Sequence, residues 1–251
     1  NLELALGVLD AARLLRAPVL LQFNTSNITH FGGIEVAAAT ARTLAALTET
    51  PVAVHLDHGT SLPQVRAAIR AGFTSLMFDG STFPLERNTR ETLEAGAAAL
   101  EAGLALEAEL GHVGGREPGV ATSEAVLTEP EDARRFVEAT RVDALAVSVG
   151  TAHGMAGDVN LDLVAALREA TRGLPLVLHG GSGVRPSQLR EAVRAGIRKV
   201  NISTEIHAAF AASLAQGVDA DPRPALNRAR AAVADAASSR IELLGATRRA
   251  W

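Results

Sequence analysis

Seven short apolar runs punctuate the chain: APVLLQFN at 17–24, PVAVHLD at 51–57, TSLMFD at 74–79, LALEAEL at 104–110, DALAVSVG at 143–150, LPLVLHG at 174–180 and RKVNIST at 198–204. Each has the length of a buried strand. Between them lie amphipathic stretches such as LPQVRAAIRAG at 62–72 and PSQLREAVRAG at 186–196, both closing on the glycine expected just past a helix. Strand and helix patterns alternate at spacings from roughly twenty to forty residues, which implies a parallel sheet, and this many units predict an α/β fold of the TIM (β/α)8 barrel type. Seven is one short of eight. The chain opens directly in a helix pattern, NLELALGVLDAARLL, so a first strand and the residues before it are expected to be absent from this sequence. An open seven-unit sheet would otherwise expose an edge. After 204 no strand run appears, and Ala- and Arg-rich segments around DADPRP at 219–224 predict a helical tail over about 205–251 that wraps the barrel or meets a partner subunit. No linker divides the chain, so 1–251 reads as one barrel domain.

Composition narrows the classes of function. At 251 residues and 47% hydrophobic the chain can bury a full core as one barrel. A net charge of -4 with no basic run favours neither nucleic acid nor an anionic membrane surface. No apolar stretch reaches membrane-spanning length, and the amphipathic, acid-containing start is unlike a signal peptide, so a cytoplasmic location is expected. The absence of cysteine removes disulfides and thiolate metal sites, leaving His, Asp and Glu as the strong ligands. Of the 24 basic residues, Lys199 is the one lysine. A Schiff-base mechanism would have to use it, yet it falls at the start of a strand run, and barrel active sites gather at the other end. Carbonyl polarisation would then fall to a metal.

Three histidines stand at or just past strand ends: His58 in VAVHLDH, His153 in ALAVSVGTAH and His179 in PLVLHG. In a parallel barrel those ends share one face, so residues roughly 100 positions apart can surround one ion. Three imidazoles leave an open zinc position for substrate oxygen, as catalytic sites require. In HLDHGTS at 55–61, alternation puts His55 and Asp57 on one side of the strand, so Asp57 points to the barrel mouth. Taken alone, that cluster would better suit a helix N-cap. Its repetition at AHG and LHGGSG argues for a metal site. His55 is either a support for that site or a packed residue, and His30, His112 and His207 receive no role.

Asp79 and Glu109 also end strands. Each could orient a ligand, bind a second cation or bond a loop backbone. Glu117, in the Gly-rich segment GHVGGREPG, could be a general base on a mobile loop or an ordinary solvated glutamate. The last two runs end in GGSG at 180–183 and NIST at 201–204, where small residues would let backbone N–H groups approach a phosphate, or simply make a tight turn.

Together HLDHGTS, VLHGGSG, GTAHG, EAELG, KVNISTE and AGFTSLMFDGS resemble, in fixed order over nearly the whole chain, the class II, metal-dependent fructose-bisphosphate and tagatose-bisphosphate aldolases. The resemblance implies reversible cleavage of a ketose 1,6-bisphosphate, fructose 1,6-bisphosphate first and tagatose bisphosphate or another phosphorylated ketose as alternatives, into dihydroxyacetone phosphate and glyceraldehyde 3-phosphate. It implies Zn2+ on His58, His153 and His179, a second divalent ion near Asp79 and Glu109, and proton exchange at Asp57. It places dihydroxyacetone phosphate on Gly154, Gly180, Gly181, Ser182, Asn201, Ile202, Ser203 and Thr204, with Na+ or K+ nearby. Glu117 matches the loop acid that moves the proton at the enediolate carbon. A homodimer or homotetramer is expected. Arg228 and Arg230 in DPRPALNRARAAV are candidates for the second phosphate. A non-catalytic sugar-phosphate-binding subunit is the reading from another class, and retention of Asp57 with all three histidines argues against it.

Overall fold

The computed structural model describes residues 1–115, 125–153 and 157–250. Each of the seven apolar runs forms a parallel strand: β1 (Val19–Phe23), β2 (Val52–Gly59), β3 (Ser75–Phe78), β4 (Ala105–Leu110), β5 (Ala144–Val147), β6 (Leu176–Leu178) and β7 (Ile197–Val200). They pair in chain order from β1 to β7, so the sheet curls as a TIM barrel does, with β1 and β7 as its edges. A cleft of about 1160 Å³ runs between those edges and reaches Asp57, His153 and Ser182 at the C-terminal ends of the strands. That end is called the mouth below.

Helices α1 (Leu2–Leu15), α2 (Thr25–His30), α3 (Ile34–Ala46), α4 (Leu62–Ala71), α5 (Leu85–Glu101), α6 (Pro130–Thr140), α7 (Leu161–Ala170) and α8 (Pro186–Ala195) link or flank the strands. The two helices singled out by pattern end as expected. Ser61 caps α4 by accepting from the Gln64 N–H, and Gly72 closes it at φ 91°, a left-handed conformation that an L side chain resists. Pro186 starts α8, where its fixed φ suits the first turn, and Gly196 ends it. The tail consists of α9 (Thr204–Leu214) and α10 (Arg223–Leu243), and α10 packs along α1 through Val233, Ala237 and Ile241. Among the described residues no helix is long and apolar enough to cross a membrane.

The two faces of the sheet differ. Leu56, Leu76, Phe78, Leu106, Leu145, Val147, Leu176, Leu178 and Ile197 join the helices in the main core. Period-two alternation turns the residues between them into the lumen. A small apolar cluster of Met77, Ala146 and Val177 fills part of it. The remainder is polar and buried: His55, Asp57, Glu107, Glu109 and His179 are all at most 6% exposed. A barrel filled only for stability would carry branched aliphatic layers there.

Candidate active site

The end of β2 is where local backbone departs from a regular strand. Pairing between β2 and β3 shifts register between Leu56 and Gly59, and His58 takes φ 49°, which a non-glycine residue occupies only when its surroundings hold it there. The kink lets the adjacent Asp57 and His58 both serve the mouth. The His58 N–H points at the Met77 sulfur, 3.4 Å away.

His58, His153 and His179 come together as expected. Each offers a ring nitrogen, and these atoms lie within 4.8 Å of one another. Ring centroids are 4.7 Å apart for His58 and His179, 5.4 Å for His58 and His153, and 5.6 Å for His153 and His179. Loop contacts fix the outer members. The His153 N–H donates to Gly114 O, and a Cβ at Gly115, which has φ 121°, would fall 2.5 Å from the His153 backbone, so the GHVGG loop lies directly on the His153 loop. The Thr151 hydroxyl donates to the His179 carbonyl at 2.8 Å.

The imidazoles of His58 and His179 are each held from behind by a carboxylate, which accepts hydrogen bonds and so dictates the ring's proton. His58 Nδ1 donates to Asp79 Oδ2 at 2.7 Å, leaving Nε2 toward His179. His179 Nε2 donates to Glu107 Oε1 at 3.3 Å, leaving Nδ1 toward His58 Nε2 at 3.1 Å. Glu109 Oε2 lies 3.8 Å from His58 Nδ1 and 3.7 Å from His179 Nδ1, buried and without a hydrogen-bond partner among the described residues. His58, Asp79 and Glu109 form a second group with ligand spacing.

Electrostatics separate the members. Burial opposes a charge on His58, but Asp57, the bonded Asp79 and Glu109 outweigh it and hold the imidazole well above its ordinary value. Burial, then the neighbouring His58 charge, keeps His179 well below its own. Burial would raise Asp79, yet the bond to His58 and those to Ser81 hold it far below the usual carboxylate range. Burial and the Asp79 charge push Glu109 well above it. A divalent cation answers every feature of this cluster: it replaces the His58 proton, takes the His179 lone pair and neutralises Glu109. The residues fit such an ion.

Asp57 lies beside this cluster, and its Oδ1 accepts from Asn201 Nδ2 at 3.2 Å. Asn201 Oδ1 is buried with no hydrogen-bond partner among the described residues. Gly180, Ser182, Asn201, Ile202, Ser203 and Thr204 line the cleft with Asp57 and His153. Gly181 packs behind them, its N–H on Asn201 O, where a Cβ would sit 2.4 Å from Val200. The Ser182 hydroxyl accepts from the N–H groups of Ser203 and Glu205 at the start of α9. Glu117 and Gly154 lie outside the described residues.

Three expectations change. Arg228 and Arg230 turn away: Arg230 forms a two-pronged pair with Asp10 on α1, and Arg228 donates to Gly217 O. Arg240 and Arg249 are the tail arginines that line the cleft. Lys199 is third of the four residues of β7, not at a remote strand start, and its amine reaches into the lumen onto Glu107 and His55. His112, given no role, bonds Ser81 at 2.9 Å, next to Asp79. Glu107 was overlooked altogether, although its spacing of two from Glu109 already placed it on the lumen face.

Comparison with known proteins adds to this geometry. The sequence profile of the family described as "Fructose-bisphosphate aldolase class-II" matches residues 1–249. The chain is 37% identical over 289 residues to a fructose-bisphosphate aldolase of Thermus caldophilus, covering all of this chain and 92% of that protein. It is 34% identical over 267 residues to a fructose-bisphosphate aldolase of Mycoplasma pneumoniae, with 100% and 91% covered. Among solved structures, the YdjI aldolase from Escherichia coli K12 superposes with a TM-score of 0.90 at 34% identity, over 100% of this chain and 90% of that one.

Proposed function

The chain belongs to the class II fructose-bisphosphate aldolase family, and from that premise we infer that zinc held by His58, His153 and His179 works with Asp57 in reversible cleavage of fructose 1,6-bisphosphate. The lyase class, the metal dependence and the phosphorylated sugar substrate come with the family. The observation that carries the residue assignment is the convergence of three ring nitrogens within 4.8 Å, beside a buried carboxylate.

Zinc, when bound, supplies a Lewis acid that stabilises the negative charge developing on the ketone oxygen. Asp57 is 6% exposed, and Asn201 fixes one of its oxygens. The other oxygen takes the proton of the C4 hydroxyl as the C3–C4 bond breaks and glyceraldehyde 3-phosphate leaves. Asn201 Oδ1 is an acceptor for a substrate hydroxyl. The N–H groups of Ser203 and Glu205, now turned to Ser182 Oγ, sit with Gly180 and Gly181 where a helix N-terminus favours the phosphate of dihydroxyacetone phosphate. Gly154, Ile202 and Thr204 complete that phosphate site, with Na+ or K+ beside it. Glu117 returns a proton to the three-carbon fragment. Asp79 and Glu109 accept a second divalent ion with His58. A cytoplasmic homodimer or homotetramer is the proposed form, read by sedimentation.

Cleavage of fructose 1,6-bisphosphate, with tagatose 1,6-bisphosphate in parallel, tests this reading before and after chelation. We expect activity on the fructose epimer to vanish with chelator and return with zinc. Activity that survives complete metal removal overturns the zinc assignment. Faster cleavage of the tagatose epimer overturns the substrate.

A further inference from the structure

Beneath the imidazole cluster the lumen holds a polar group that the cleavage mechanism leaves unused. Lys199 Nζ donates to Glu107 Oε2 at 2.7 Å and to His55 Nε2 at 3.1 Å. An ammonium is a donor only, so His55 Nε2 must accept, its proton sits on Nδ1, and Nδ1 donates to Ser75 Oγ at 2.8 Å. Three strands and the start of β3 thus pin the amine in one place. Glu107, 4% exposed, has its second oxygen on His179 Nε2. This chain places its one lysine here, its side chain 13% exposed, while arginine fills every other basic position.

We propose that Lys199 is a positioning residue acting through Glu107: it anchors one carboxylate oxygen so that the other holds the His179 proton on Nε2 and presents Nδ1 to the cation. The inference rests on the reading that a cation sits among the three imidazoles. Its logic is one of donors and acceptors. With Lys199 on Oε2, only a carboxylate offers a second acceptor to His179. An amide in its place must give its oxygen to Lys199 and turn its NH2 toward His179. That makes Nε2 the acceptor and moves the ring proton to Nδ1, the atom the cation needs.

The test is a double-mutant cycle on zinc affinity, measured by competition with a chromogenic chelator, for wild type, Glu107→Gln, Lys199→Met and Glu107→Gln/Lys199→Met. Glu107→Gln should weaken zinc binding by about 10–100-fold, the range for outer partners of metal-bound histidines. Adding Lys199→Met frees the amide oxygen to face His179, so the double variant should bind zinc more tightly than Glu107→Gln alone. A purely structural role for the lysine makes the two losses add, and additive losses overturn the proposal. Histidine-selective ¹⁵N NMR of the zinc-loaded wild type keeps the idea testable should a variant fail to fold. The expected pattern has His179 protonated at Nε2 and metal-bonded at Nδ1, and metal on Nε2 overturns it. A wild type that takes up no zinc removes the three-imidazole reading itself. Normal uptake with additive losses removes the Lys199 assignment alone.

Discussion

At the mouth of the lumen, Glu109 Oε2 and Asn201 Oδ1 are buried without hydrogen-bond partners among the described residues, whereas on the floor both nitrogens of His55 and both oxygens of Glu107 are engaged. A buried acceptor left unmatched costs roughly 1–3 kcal/mol. A fold retains that cost where a ligand relieves it. The floor has no such reserve: its charges answer one another, and Met77, Ala146 and Val177 pack beside them. The two levels of one cavity therefore divide the work, the mouth being matched to something that arrives and the floor to itself. Glu107 joins them, with one oxygen in the floor network and the other on a mouth histidine.

Variants that separate the two levels should separate activity from stability. The largest effect is expected at Asp57. Asp57→Ala should lower kcat by about 10²–10⁴-fold, the range for a lost proton-transfer group. Zinc content by atomic absorption should stay at the wild-type level, because Asp57 is outside the three-imidazole set. A kcat within a few-fold of wild type would take Asp57 out of proton transfer. Loss of zinc would make it a support for the metal. Val177 on the floor, with 0% exposure, should behave in the opposite way. Val177→Ala removes two buried carbons and should cost about 2 kcal/mol in urea unfolding, with kcat/KM of the folded protein unchanged. A large fall in kcat/KM at unchanged stability would erase the division.

How much of this could be read from residues alone depends on which signal each feature leaves. Parallel strands buried on both faces leave continuous apolar runs, so all seven were legible. His58, His153 and His179 were legible because strand ends in a barrel converge. Glu107 stands three residues before the end of β4, and a search confined to ends passes over it despite the LEAEL alternation. Lys199 was misplaced because RKVNIST reads as a seven-residue strand, while pairing covers only Ile197–Val200, which makes the lysine the third of four strand residues with its amine in the lumen. The φ of 49° at His58 leaves no mark in sequence, since it arises from the register shift against β3. Arg228 and Arg230 were chosen from the family resemblance of the DPRPALNRARAAV segment. Helix phase then turned Arg230 onto Asp10 of α1.

The smallest expected effect concerns proton uptake on the floor. Burial first, then the Lys199 charge, lowers the His55 pKa to about 3, against an unfolded value near 6.5. Between those values the unfolded chain binds a proton at this position and the folded chain does not, so stability falls as pH falls through the window. From pH 7.5 to 5.5 this one group should cost about 1.4 kcal/mol, because over that interval the unfolded imidazole passes from mostly neutral to mostly charged. His55→Gln removes the titration and keeps an oxygen near the Nε2 position to accept from Lys199. Urea unfolding of zinc-free wild type and variant at the two pH values isolates the effect, since the metal-site histidines titrate alike in both proteins. The wild type should lose about 1.4 kcal/mol more than the variant on acidification. An equal loss in both would mean that His55 is charged in the folded protein. Lys199 could then no longer donate to it, and the self-satisfied floor would be the wrong description.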